Sequence, residues 1–211
     1  MKLSLEFKYK KTWEEENMKH LIIYAHPHQE SLNHSLLEAT VKALEKNNHE
    51  VVVRDLYALN FQPVFTEEDM EAMKAGNTPQ DIKVEQEYIT QADVITFIYP
   101  IWWAGLPAII KGYVDRVFAY GFAYATGEEG ITKLLAGKKG LIINTHGTPS
   151  AVYDEIGMTA GLKITSDVGI FDFTGIEPVD HLLFGSIGYL DKEGYKKIFT
   201  QIDETIDRHF S

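Results

Sequence analysis

At 211 residues, with 45% hydrophobic and 12% aromatic side chains, the chain is sized and composed for one well-filled globular domain. It contains no cysteine, which excludes disulfides, thiolate metal sites and cysteine nucleophiles and leaves any redox chemistry to a bound cofactor. A net charge of -11 disfavours phosphate backbones and anionic lipid surfaces, and the apolar runs are too short for a bilayer span, so neither nucleic acid binding nor membrane insertion is expected.

Residues 1–17 are lysine-rich to Lys11, then carry Glu14-Glu15-Glu16, and show no buried period before Met18. They read as an N-terminal extension or expression remnant without chemistry, followed by a single domain over 18–211. No secretory signal stands at the start, so the expected compartment is the cytoplasm. The β-branched and aliphatic run Lys19 to Ala25 predicts a first strand ending at His26-Pro27. Leu36, Leu37, Val41 and Leu44 then recur at helical spacing across Leu32 to Lys46. Val51-Val52-Val53 predicts a second strand, followed by a loop around Phe61-Gln62-Pro63-Val64 and acidic helical stretches over 67–75 and 80–91. The third strand is Val94 to Tyr99, and its helix runs from Pro107 to Phe118 with Ile109, Ile110, Val114 and Val117 spaced for burial. Lys139 to Asn144 and Val179 to Phe184 predict the fourth and fifth strands, and a final helix covers Lys192 to His209. Strands alternating with helices predict an α/β doubly wound sandwich with a five-stranded parallel sheet and helices on both faces. If the second strand lies at an edge, the order is 2-1-3-4-5, and ligands bind where the loops after the first and third strands diverge.

Three loops at the carboxyl ends of strands then hold most of the unusual residues. The first carries His26, with Ser31-Leu32-Asn33 opening a helix. Free backbone donors there could cradle a phosphate, or Ser31 could simply cap the helix. Neither the Walker loop nor the glycine-rich dinucleotide fingerprint is present. The second loop is Pro100-Ile101-Trp102-Trp103-Ala104, whose indoles suit a flat, conjugated ligand such as a flavin or could plug a gap in the core. The third is Asn144-Thr145-His146-Gly147, with Tyr153 shortly after it. Its amide and hydroxyl donors would stabilise charge on a reduced flavin, although His146 could equally be a bystander and Tyr153 a packing residue. His26, His28 and His34 have no carboxylate partner at ligand spacing, so no metal site is expected. No serine sits between paired glycines after a strand, which removes the serine-hydrolase reading.

Together these segments resemble the NAD(P)H:quinone oxidoreductase family of flavodoxin-like folds, from about Met18 to the last helix. The most specific stretch is Pro100 to Trp103, Leu106 to Phe118 and Gly121-Phe122-Ala123-Tyr124. The resemblance implies a bound flavin, FMN or FAD, with NAD(P)H as co-substrate and a quinone-like acceptor, working by two-electron ping-pong hydride transfer. It implies that His26, Ser31, Leu32 and Asn33 surround the flavin phosphate and that Pro100, Ile101, Trp102, Trp103 and Ala104 line the ring. It further implies that Asn144, Thr145, His146 and Gly147 face the pyrimidine edge, with Tyr153 and His146 as the catalytic candidates. A homodimer is implied too, with Tyr124, Ala104 and Tyr153 in the substrate pocket and Tyr124 supplied by the partner. The chain departs from animal relatives at Thr159, where they have a histidine, at Ala104, where they have a bulky aromatic, and at His146, where they have glycine. Rival readings are a regulatory flavoprotein subunit of a potassium-efflux transporter, a flavodoxin-type electron carrier, and an azo- or nitro-compound reductase.

Overall fold

A computed structural model of the chain describes residues 17–128 and 130–211, so the proposed N-terminal extension lies, apart from Asn17, outside the described residues. In chain order the elements are β1 (Lys19–Tyr24), α1 (Leu32–Lys46), β2 (Glu50–Asp55), α2 (Glu67–Lys74), α3 (Gln80–Gln91), β3 (Val94–Pro100) and α4 (Ala108–Val117). There follow β4 (Tyr124–Gly127), β5 (Gly130–Lys133), β6 (Lys139–Thr145), α5 (Ser150–Glu155), α6 (Met158–Lys163), a π-helical segment (Ile164–Asp172), β7 (Glu177–Phe184) and α7 (Lys192–Phe210). The main sheet is parallel throughout, in the order β2-β1-β3-β6-β7. This is the expected doubly wound, flavodoxin-like arrangement. The antiparallel hairpin β4–β5, the helices α5 and α6 and the π-helical segment are not among the elements expected from the sequence.

β3 is buried at all seven positions because helices cover both of its faces, which is why its sequence reads as a near-continuous apolar run. Successive side chains feed opposite layers. Leu21, Ile23, Phe97, Tyr99 and Ile142 pack with Ile82, Ile110 and Phe171, whereas Ile22, Tyr24, Ile98, Leu141 and Ile143 pack with Leu36, Ile202 and Ile206. The helices begin where their caps dictate: Ser31 accepts from the His34 amide, Thr66 and Asp69 form a reciprocal capping box, and Asp191 accepts from the Gly194 amide.

Helix α4 buries Ile110, Tyr113 and Val117, with Ile109 and Val114 half-buried beside them. Arg116 is buried as well, and its guanidinium reaches Asp69 at 2.8 and 3.0 Å, Asp81 at 2.7 Å and the Gln62 carbonyl at 2.9 Å. One cation thereby ties α4 to α2, to α3 and to the loop before α2. Gly112 allows that loop to come close, since a Cβ there would stand 2.1 Å from the Pro63 carbonyl oxygen.

Candidate functional site

The chain leaves β1 towards β2 on one side and reaches β3 on the other, so the loops after β1 and β3 part company at the carboxyl edge of the sheet. Direct contacts join these loops to the end of β6. The Ile101 amide donates to the Thr145 carbonyl at 2.8 Å, and the Asn33 amide nitrogen donates to Thr145 Oγ1 at 2.8 Å. The rings of His26 and Trp102 lie 6.4 Å apart. His26 is half-buried, and its Nδ1 accepts from the His28 amide at 3.1 Å. Ser31 does cap α1, and Leu32 beside it is half-buried.

The second loop is a tight reversal. Trp102 and Gly105 exchange two backbone hydrogen bonds of 3.1 Å, and the residues between them, Trp103 and Ala104, have φ of 49° and 58°. Both central residues of this two-residue turn are left-handed, a conformation that ordinarily selects asparagine and glycine. Pro100 and Ile101 are buried, but Trp102 is 42% exposed and Trp103 is 102% exposed. The indoles therefore do not plug the core, and the strained turn holds them at the surface.

At the third loop the structure divides the expected residues. The Thr145 hydroxyl meets Asn33 and Gly147 is exposed, but Asn144 is fully buried and its side chain is committed to the Tyr99 carbonyl at 3.1 Å and His181 Nε2 at 2.7 Å. His146 is buried, and its ring stacks on Tyr153 with centroids 4.2 Å apart and 4° between planes. Gly185 closes on it from the loop after β7, where a Cβ would stand 2.8 Å from His146 Cε1. Backbone bonds from His146 to Phe184, from Ile187 to His146 and from Ser186 to Thr148 fasten this loop to the one after β7. Burial holds the His146 pKa below the usual histidine range, against the weaker opposing effects of the Thr148 backbone and Asp154. Its imidazole is accordingly neutral at physiological pH. Thr159 donates to Asp154 at 2.6 Å.

Tyr124 belongs to another region. It packs against Tyr120 and Phe173, with centroids at 5.7 and 5.1 Å, and helps line a cavity of about 340 Å³ with Phe65, Met70, Met73, Phe118 and Tyr120. Among the described residues no three histidine, aspartate or glutamate side chains converge as metal ligands, and no helix is long and apolar enough to cross a membrane.

The flavodoxin-like fold family matches residues 18–206. An uncharacterized NAD(P)H oxidoreductase of Haemophilus influenzae is 39% identical over 85% of this chain and 89% of its own length. The rat NAD(P)H dehydrogenase [quinone] 1 is 31% identical over 90% of this chain and 80% of its own. The chain belongs to the NAD(P)H:quinone oxidoreductase family. A solved NAD(P)H:quinone oxidoreductase from Methanothermobacter marburgensis superposes with a TM-score of 0.81 at 27% identity, covering 92% of this chain and all of that one.

For a member of this quinone oxidoreductase family, the buried Asn33 Oδ1 on the first turn of α1 and His146 Nδ1 on the loop after β6 are without a hydrogen-bond partner among the described residues. A half-turn of the Asn33 amide, with Thr145 donating instead of accepting, would present Nδ2 as a free donor beside the N-terminus of α1. That donor set fits an anionic phosphate, and the exposed indoles fit a planar ring. The residues present thus suit a flavin. Sequence reasoning missed His181, which contacts both Asp167 and Asn144 from a distant strand; a histidine directly before the apolar run Leu182-Leu183-Phe184 was the available signal.

Proposed function

We propose that the chain is a flavin-dependent NAD(P)H dehydrogenase acting on quinones, with nicotinamide and quinone taking turns at one crevice. The observation that carries this reading is the direct hydrogen bonding of the first turn of α1 and of the loop after β3 to Thr145 at the end of β6, with unused buried polar atoms near these contacts and two exposed indoles on the loop after β3. The flavin, when bound, supplies acceptance of an electron pair with a proton from NAD(P)H and its return to the quinone.

The chain's own residues would do the binding and positioning. The amides at the start of α1, with Ser31 and Asn33, would hold the flavin phosphate, helped by the helix dipole. Pro100 to Ala104 would border the ring, with Trp102 and Trp103 limiting water. Backbone and hydroxyl donors at Thr145 to Gly147 would face the pyrimidine edge and favour the charged, reduced ring. Tyr153, kept in place by the His146 ring, would donate its phenolic hydrogen to a quinone oxygen. We further assign a homodimer: Phe65, Met70 and Tyr120 are exposed around the cavity at Tyr124, an apolar face that a second copy would cover.

Rapid mixing of the flavin-loaded protein with NADPH or NADH should bleach the flavin absorbance, and a second mixing with quinone should restore it. No bleaching with either nucleotide overturns the enzyme reading. The mass of the released chromophore distinguishes FMN from FAD, and sedimentation velocity tests the dimer.

A further inference from the structure

His181 lies in β7, its imidazole is 1% exposed, and none of the chemistry above uses it. Both ring nitrogens face oxygen atoms: Nδ1 is 2.7 Å from Asp167 Oδ1 on the π-helical segment, and Nε2 is 2.7 Å from Asn144 Oδ1 on β6. The orientation of the Asn144 amide is set from its other side, because its Nδ2 donates to the Tyr99 carbonyl at 3.1 Å and a rotated amide would oppose two oxygens there. Asn144 Oδ1 is therefore an acceptor, and His181 Nε2 must donate to it. Nδ1 is held against the Asp167 carboxyl, so the ring cannot turn Nε2 away from Asn144 without losing that contact. The groups around the pair are engaged elsewhere: the Ser166 hydroxyl donates to the Leu162 carbonyl at 2.7 Å, the Tyr99 phenol stays protonated because burial pushes its pKa up, and an Asp180 oxygen accepts from the His181 backbone amide at 2.8 Å.

We propose that His181 is a positioning residue for the crevice: backed by Asp167, it locks the Asn144 amide across β3 and β6. Those are the two strands from whose ends the Pro100–Gly105 and His146–Gly147 segments depart, and the next rung of the same ladder is the Ile101 to Thr145 hydrogen bond. A buried polar triad is a poor device for stability alone, since apolar side chains of similar volume serve as well, but fully satisfied it admits one geometry. The inference rests on the flavin reading of the crevice.

Two measurements test it. In nitrogen-15 correlation spectra at neutral pH, His181, assigned by its disappearance in His181→Gln, should show a hydrogen on Nε2. A His181 ring whose Nε2 carries no hydrogen in the wild type overturns the proposal whatever the flavin result. Titration of flavin-stripped protein with FMN and FAD should then show His181→Leu weakened by about tenfold or more, equivalent to ~1.4 kcal/mol. His181→Gln should remain within about threefold of wild type, because a glutamine amide nitrogen falls near the position of Nε2 and can donate to Asn144. A folded His181→Leu protein with wild-type affinity, or equal losses in the two variants, overturns the role. Wild-type protein that binds neither flavin overturns the flavin reading along with it.

Discussion

The Asn33 amide nitrogen donates to Thr145 Oγ1 across 2.8 Å, a buried hydrogen bond that joins the first turn of α1 to the end of β6 over 112 residues of sequence. It makes two of the three crevice loops move as one. Thr145→Val keeps the shape but leaves the Asn33 amide with neither polar atom satisfied, which should lower stability by about 1–3 kcal/mol. Asn33→Leu combined with Thr145→Val should recover part of that loss, since no orphaned amide remains. Chemical denaturation of the two single variants and the double variant measures the coupling, and strictly additive losses would contradict it.

The turn at Trp103 and Ala104 separates stability from binding. Left-handed backbone at a residue with a Cβ costs roughly 1–2 kcal/mol, so Ala104→Gly should raise stability by about 0.5–1 kcal/mol after the greater freedom of glycine in the unfolded chain is allowed for. Trp103→Ala removes a side chain that is 102% exposed and should leave the melting temperature near its original value. The same variant should weaken flavin retention several-fold if the indole borders the ring. Calorimetry and flavin titration on both proteins check the two halves independently.

The sheet order was legible because β1, β3 and β6 are doubly covered and so announce themselves as apolar runs, and because Ser31 marks a helix start with a side chain that performs the cap. The loops of interest followed from that order alone. The hairpin β4–β5 was not legible: it is short and largely exposed, and its strands carry little alternation. The segment after β6 was opaque for a different reason, since π-helical turns over Ile164–Asp172 displace the 3.6-residue apolar period. At the site, spacing could nominate Asn144 but could not tell that its amide serves Tyr99 and His181. Those partners lie 45 and 37 residues away, and only the sheet register brings them together.

His20 gives the protein an acid-sensitive component far from the crevice. It is buried between His49 and Phe210, with ring centroids at 4.9 and 4.8 Å, and neither ring nitrogen has a hydrogen-bond partner among the described residues. Burial first, and then the neighbouring His49, lower its pKa from 6.5 to about 3. The unfolded chain thus binds a proton that the folded one refuses. The stabilisation is complete above pH 6.5 and is withdrawn as pH falls towards 3, at up to about 1.4 kcal/mol per pH unit. His20→Met should flatten this part of the stability profile. Urea unfolding at pH 7, 5 and 4 measures the difference between variant and wild type, and parallel profiles would show that His20 is not its source.

Arg116 should be the most sensitive charged position away from the crevice. Its guanidinium and Asp69 are 6% and 8% exposed, whereas Asp81 on the other flank is 51% exposed. The Arg116 hydrogen bonds hold the Asp69 carboxyl below the usual carboxylate range despite its burial. Arg116→Ala leaves Asp69 buried without its cation and should destabilise by about 3–5 kcal/mol. Asp81→Asn removes a solvent-screened partner and should alter stability by no more than about 1 kcal/mol. Because α2, α3 and α4 converge on this one guanidinium, the loss in Arg116→Ala should also speed hydrogen exchange in α2, the shortest of the three. Similar losses for Arg116→Ala and Asp81→Asn would mean that burial does not set the strength of this network.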